Sequence, residues 1–424
     1  MNYIFYFLVA SAFTTAAWHQ LGWGGNGTAP MDALSTAMVE SAAGSVELAL
    51  GLVGVMALFL GLMKVAEAGG LLVIIARLIR PLMVRLFPSV PAEHPAMGAM
   101  ILNLSANALG LGNAATPFGI RAMQELERLN TRPGTATDAM VLFLAINTSS
   151  VTLLPTGVIA LRAAAGSADP AGILPTTLFA TFCATAAAII AAFAYRRFFP
   201  LEAAPVGATS ERPAEAEVLP AEAGQAYPLW VSLLALGTLL ALIPFSVLYG
   251  RAIAPWILPG LMLGFLTFGL VRGVRIYEVF VDGAKEGFQV ALRIIPYLVA
   301  ILVAVAMLRA SGALEAAVSA LAPWSGAVGL PAEALPMALL RPLSGSGAYG
   351  VLASIINDPA IGPDSYTGYL VSTLQGSTET TFYVLAVYFG AVQIRRIRHA
   401  LLAALTADIV AVFAAVFACT YFLL

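Results

Sequence analysis

The chain alternates long, largely uncharged runs with short charged segments nine times over, and few folds can absorb that pattern. The runs cover roughly residues 3–18, 46–63, 137–163, 176–195, 229–249, 252–271, 288–308, 367–391 and 400–422. About 20 apolar residues carry a helix across the hydrocarbon of a bilayer. Of the 424 residues only 10% are charged and 60% are hydrophobic, where soluble domains carry about a quarter charged residues. The expectation is an all-α polytopic membrane protein with about nine transmembrane helices. A formal net charge of −2 gives no basic surface for nucleic acid. Two cysteines, Cys183 and Cys419, lie within apolar runs, and His19, His94 and His399 are far apart. No ligand set is spaced for a metal, and no cofactor is expected.

Basic residues orient the runs. The first run is short and lacks the basic start of a secretory signal, so it reads as a retained span rather than a cleaved peptide. A cytoplasmic N-terminus puts 16 of the 21 Lys and Arg on the cytoplasmic side, including Lys64, Arg128, Arg272 and Arg396. Arg162, Arg251 and Arg309 then fall at outer ends, and Arg293 and Arg341 within membrane segments. The reverse orientation exposes all 16 outside. Residues 71–87, which alternate apolar positions with Arg77, Arg80 and Arg85, are expected along the inner surface. Residues 201–227, with five glutamates, three prolines and one arginine, have no apolar face to bury and read as a cytoplasmic linker. It separates residues 1–200 from 228–424.

The two halves share an ordered set of features. Ala68-Gly69-Gly70-Leu71, Pro91-Ala92-Glu93 and Leu104-Ser105-Ala106-Asn107 in the first are matched by Ser311-Gly312-Ala313-Leu314, Pro331-Ala332-Glu333 and Leu343-Ser344-Gly345-Ser346 in the second. Counting spans makes the halves inverted, as in secondary transporters that bind substrate at the repeat interface.

Residues 96–118 and 334–355 are apolar yet rich in Asn, Ser, Gly and Pro, and read as re-entrant helical hairpins. Non-helical backbone at membrane depth is tolerated only against protein or a wet cavity. Asn103, Ser105, Asn107, Asn113, Ser344 and Ser346 supply donors and acceptors there. Each hairpin precedes a span interrupted by polar residues: Asn147, Thr148, Ser149 and Ser150 in one, Gln375, Ser377, Thr378 and Glu379 in the other. Both read as broken helices, with Ser372, Gln375 and Glu379 at helical spacing on one face of the second. Glu379 is the most informative, because a mid-span carboxylate must be paired, hydrated or protonated. Arg341 is its candidate counter-ion, in a site or in a purely structural pair, and Asp408 in the last run is a rival carboxylate. Asp138 and Asp364, at span starts, are explained by helix capping.

At these residues the sequence resembles a fusion of bacterial spore maturation proteins A and B. Asn103-Leu104-Ser105-Ala106-Asn107 through Asn113 to Gly119, with Asn147-Thr148-Ser149-Ser150, is similar to the A protein. Arg341-Pro342-Leu343-Ser344-Gly345-Ser346-Gly347 and Gln375-Gly376-Ser377-Thr378-Glu379 are similar to the B protein. Such proteins carry a nucleoside recognition or gate domain, which looks related to concentrative nucleoside transporters and to the membrane part of the bacterial ferrous iron transporter. The resemblance implies a bacterial cytoplasmic-membrane protein, an inverted-repeat carrier fold and a nucleoside-like substrate.

Together these readings favour a secondary transporter of a small polar metabolite: a nucleoside, nucleobase or amino-acid-like molecule. Glu379, with Asp408 second, would take H+ or Na+. A metal-ion or channel-like permease would want Cys, Met or His along the path, and the clusters have none. A membrane scaffold that binds a ligand without moving it is a further alternative. No catalytic set converges, so no enzyme is expected, and a homo-oligomer is left open.

Overall fold

The computed structural model describes residues 2–110, 112–150, 152–200 and 226–422. Most of the linker, residues 201–225, lies outside them, as does the side chain of Asn113. Sixteen α-helices follow in order: α1 (Asn2–Leu21), α2 (Pro30–Ala68), α3 (Leu71–Leu86), α4 (Pro95–Ala108), α5 (Gly112–Arg128), α6 (Asp138–Ser149), α7 (Thr156–Ala164), α8 (Leu174–Tyr195), α9 (Leu229–Val271), α10 (Ile276–Ala310), α11 (Ala313–Gly326), α12 (Leu335–Leu340), α13 (Gly345–Ile356), α14 (Tyr366–Ser377), α15 (Thr381–Ala391) and α16 (Ala400–Phe422). Among the described residues the only β pairing is a single bridge, Thr135 to Arg396. The all-α expectation holds.

One order of elements occurs twice. A long helix (α2, α10) ends at a glycine in the left-handed region, Gly70 with φ 87° and Gly312 with φ 78°. A shorter helix follows (α3, α11), then a helical hairpin (α4–α5, α12–α13), a helix pair (α6–α7, α14–α15) and an apolar helix (α8, α16). Left-handed backbone suits glycine because no Cβ meets the carbonyl, so the paired Gly positions fix where each long helix stops. Both hairpin segments are helix-turn-helix, and α4 packs along α5.

The count of nine spans is not confirmed among the described residues. Among the described residues, α8 and α16 alone are long and apolar enough to cross a bilayer unaided. Val53–Ala68 and Leu71–Leu86 join them only as a pair bent by 68°. Further apolar runs lie in α1, α2, α9 and α10, while runs 137–163 and 367–391 are each divided between two helices, α6–α7 and α14–α15.

Runs 229–249 and 252–271 both fall within α9, with no non-helical residue between them. A straight 43-residue helix is about 64 Å long. Yet the amide of Tyr227 donates to the Arg77 carbonyl (3.3 Å) and Nε of Arg272 donates to the Gly69 carbonyl (3.0 Å). Residues 69 and 77 are no more than about 15 Å apart at helical rise. The segment therefore doubles back, as two antiparallel runs would.

The helices gather into two compact units, and each draws on both sides of the linker. The first holds Met1–Gly61, Thr156–Pro170 and Phe280–Gln375. There α1, α2 and α10 share an apolar cluster of Ala12, Ala16, Leu34, Met307 and Leu308.

The second holds Leu62–Pro155, Ala171–Val279 and Gly376–Leu424. Its core is built around α4 and α6, the latter buried from Ala139 to Ser149. Ala180, Ala184, Ala188 and Ala191 on α8 form a buried seam, as do Ala400, Ala404, Ala407 and Ala411 on α16, and small side chains let the two backbones approach closely. Amphipathic α3 turns Ala76, Arg80 and Met83 inward. Arg80 bonds the Ala92 carbonyl (3.0 Å) and Glu93 (3.2 Å), which ties the helix to the loop before α4.

Candidate functional site

Two interruptions of helical backbone define the site. Thr137 caps α6 by accepting from the amide of Met140 (3.2 Å), and the helix then runs to Ser149. Ser150 leaves helical geometry with φ 36°, a strained value for a residue with a Cβ. Ser150 and residues 152–155 are non-helical before α7, and 378–380 are non-helical between α14 and α15. The expected broken helices are present.

In the second unit the freed backbone groups find partners, as burial requires. The Leu153 amide donates to the carbonyl of Ala108 at the hairpin turn (3.0 Å). The Glu379 amide donates to the Thr148 carbonyl (2.8 Å), so the second break closes on the end of α6. Thr181 Oγ1 donates to the Ser149 carbonyl (3.1 Å) and to that of Ser150. Ser149 Oγ donates to Thr185 Oγ1 (3.1 Å), and the Ser150 and Thr152 hydroxyls pair at 2.9 Å.

A chain of neutral amides lies beside the breaks. Asn107 Nδ2 donates to Asn147 Oδ1 (2.9 Å), and Asn147 Nδ2 donates to the Phe143 carbonyl (2.9 Å). Asn103 Nδ2 donates to the Ala115 carbonyl (2.8 Å) and to Tyr388 Oη (3.0 Å), and the tyrosine hydroxyl reaches Asn147 Oδ1 at 3.4 Å. Asn103 Oδ1 is buried without a hydrogen-bond partner. Tyr388 fits only because residue 119 is glycine: a Cβ there would lie 2.1 Å from Tyr388 Oη. Asn103 and Asn147 are 0% and 1% exposed, so the cluster is closed in this conformation.

Asp408 on α16 is buried and accepts from Thr381 Oγ1 (2.7 Å) at the first turn of α15. A helix N-terminus favours a carboxylate there. Asp408 thus has its polar partner on another helix, while its neighbour in sequence Thr406 bonds the Leu402 carbonyl (2.8 Å) and Tyr195.

Other expectations change. Ser372, Gln375 and Glu379 do not share a helical face, because α14 ends at Ser377 and Glu379 lies in the break. Ser105 and Thr148 bond carbonyls of their own helices, at 2.7 and 2.9 Å. Ser344 caps α13 by accepting from the Gly347 amide (3.0 Å), with Ser346 3.5 Å away. Ser344, Ser346, Gln375 and Arg341 belong to the first unit, whereas Ser377, Thr378 and Glu379 belong to the second.

Asp138 and Asp364 are not helix caps. Asp138 pairs with Arg398 (2.7 Å), while Asp364 pairs with Arg162 (3.0 Å) and accepts from the Ala168 amide (2.7 Å). Arg162, Asp364, Tyr388 and Thr181 were not among the candidates. A tyrosine or threonine in an apolar run has no sequence signal that separates network from packing, and the ion pairs join residues 202 and 260 apart.

The first unit has a cleft of about 600 Å³ that includes Glu40, Glu47, Arg309 and Asn357, and the second a pocket of about 320 Å³ that includes Asp138 and Arg196. Neither is lined by the amide cluster. Among the described residues no group of three or more His, Cys, Asp or Glu could hold a metal ion.

The family model described as nucleoside recognition, the Gate family, matches residues 49–165 and 291–395. The chain belongs to this family. It is 47% identical over 159 residues to spore maturation protein B of Bacillus subtilis (strain 168), covering 38% of this chain and 88% of that protein. It is 45% identical over 174 residues to spore maturation protein A of the same organism, covering 41% of this chain and 88% of that protein. Similarity to both is consistent with a fused A/B member of the Gate family. No solved structure matches the chain. Apolar helices and these relatives identify a membrane protein.

Proposed function

We propose that the chain is a secondary transporter that moves a small neutral polar metabolite by alternating access. The observation that carries this is the closed amide network of Asn103, Asn107, Asn147 and Tyr388 beside two interrupted helices. A packed membrane core gains little from buried amides, whereas a ligand site needs donors and acceptors that can exchange internal bonds for bonds to cargo. Neutral amides suit a nucleoside, nucleobase or amino-acid-like molecule better than a strong anion, and the nucleoside recognition description supports that class.

The repeated order of elements supports two inverted halves, residues 1–200 and 228–424, in a bacterial cytoplasmic membrane with the N-terminus inside. The bilayer is then the protein's solvent and the metabolite its cargo, with no catalysis. Glu379, in the second break, takes the coupling H+ or Na+, with Asp408 the other candidate.

Thermal unfolding of the purified protein against nucleosides, nucleobases and amino acids, with pH and sodium varied, tests the reading. A ligand at 100 times its Kd is expected to stabilise by about 2.7 kcal/mol. Stabilisation by metal ions alone, with no organic ligand active, would overturn it.

A further inference from the structure

Two ion pairs outside the amide network share one design. In the first unit Arg162, in the last turn of α7, reaches Asp364, two residues before α14. It also donates to the carbonyls of Pro363 (2.5 Å) and Asp169 (3.2 Å) and to Ser167 Oγ (3.1 Å), with its guanidinium 4.1 Å from the centre of the Tyr369 ring. In the second unit Arg398, beyond the end of α15, reaches Asp138, the first residue of α6. It also donates to the carbonyls of Ala136 (3.0 Å) and Phe199 (3.0 Å).

Each pair therefore ties the start of one broken helix to chain that belongs to or follows the other: Arg162 lies in the last turn of α7, whereas Arg398 lies between α15 and α16, just before α16 begins. Backbone bonds reinforce both junctions: Asp364 accepts from the Ala168 amide, while the Arg395 amide donates to Gly134 (2.9 Å) and the Ala136 amide to Arg396 (3.0 Å). Burial is also alike. The arginine side chains are 0% and 8% exposed and the aspartates 38% and 53%. Each unit contains one hairpin and one half of each broken helix. Even the hairpin contact is repeated: a Cβ at Gly119 would meet Tyr388 Oη at 2.1 Å, and one at Gly157 would meet Tyr349 Oη at 2.2 Å.

We infer that Arg162–Asp364 and Arg398–Asp138 are two gate latches, each clasping the broken helices at one end. A buried arginine held by a partly hydrated aspartate is suited to this task. Closed, the desolvated guanidinium needs its carboxylate; when the ends part, both groups can take water instead. The inference rests on the transporter reading for what the latches control, but not for whether they exist. On the proposed orientation, charge distribution along the sequence assigns Arg162 and Asp364 to the outer side of the membrane and Arg398 and Asp138 to the cytoplasmic side.

The test uses full-length protein in vesicles, with Cys183 and Cys419 replaced by alanine and one reporter cysteine introduced. Gln375→Cys reports on the first unit and Ser149→Cys on the second, both buried sites. The readout is the rate of modification by a membrane-impermeant thiol reagent supplied from one side at a time. Asp364→Asn should speed modification of the first reporter from outside about tenfold and leave the second unchanged. Arg398→Gln should do the converse from inside. Arg162→Gln and Asp138→Asn supply a second variant for each pair should one fail to fold.

Rates unchanged in all folded variants, or raised equally at both reporters, would overturn the latches. Selective acceleration with the sides exchanged would support the latches and refute the proposed orientation. Selective acceleration in a protein that transports none of the cargo classes would support the latches while the transporter reading fails.

Discussion

Asp364→Ala is expected to lower the stability of the protein by about 3–5 kcal/mol, more than removal of the arginine it pairs with. The asymmetry follows from burial. The Arg162 side chain is 0% exposed, so losing the Asp364 carboxylate leaves a fixed charge held by carbonyls, the hydroxyls of Ser167 and Ser372 and a ring face. The Asp364 side chain is 38% exposed and keeps the Ala168 amide and Ser167 Oγ, so Arg162→Met leaves it partly hydrated and bonded. That change should cost about 1–2 kcal/mol, mainly for carbonyls that lose a donor. Thermal unfolding of the two variants in detergent measures the order. If Arg162→Met proves as damaging as Asp364→Ala, desolvation of the guanidinium is not what makes the pair matter.

Asn147→Ala is expected to cost about 2–4 kcal/mol and to abolish stabilisation by any cargo molecule. The amide donates to the Phe143 carbonyl and accepts from Asn107 and Tyr388, so its loss affects two buried groups and one partly buried one at once. Tyr388→Phe removes one hydroxyl and leaves Asn103 bonded to the Ala115 carbonyl, and should cost about 1 kcal/mol. Ligand-dependent unfolding of both variants separates the contributions: a site role requires Asn147→Ala to lose the ligand response beyond its loss of stability. An undiminished response would remove Asn147 from the site.

The helix breaks, both hairpins and the amide residues were legible because polar side chains inside apolar runs have few places to go. Asn147 to Ser150 could not all face one partner on a regular helix, and the chain does leave helical geometry at Ser150. The glycines at 70 and 312 marked helix ends for an equally local reason. What could not be read was which distant group answers each polar one. Asp408 meets Thr381, Asn103 meets Tyr388, and Asp364 meets Arg162, and each pairing needs two segments of the folded chain. The span count is not confirmed among the described residues. Apolar length predicts what can cross a bilayer, but α2 and α10 continue into charged sequence and α9 turns back with no capping residue to mark it.

Movement of cargo is read out by counterflow in proteoliposomes. Vesicles are loaded with the unlabelled metabolite that best stabilises the protein, and labelled metabolite is supplied outside. The predicted result is transient accumulation of label by the unaltered protein and none by Asn147→Ala. Glu379→Gln should retain exchange while losing the pH or sodium dependence of net uptake, since exchange returns the carrier loaded in both directions. Tight binding of the metabolite with no accumulation of label would contradict the account and leave a membrane protein that holds its ligand without carrying it.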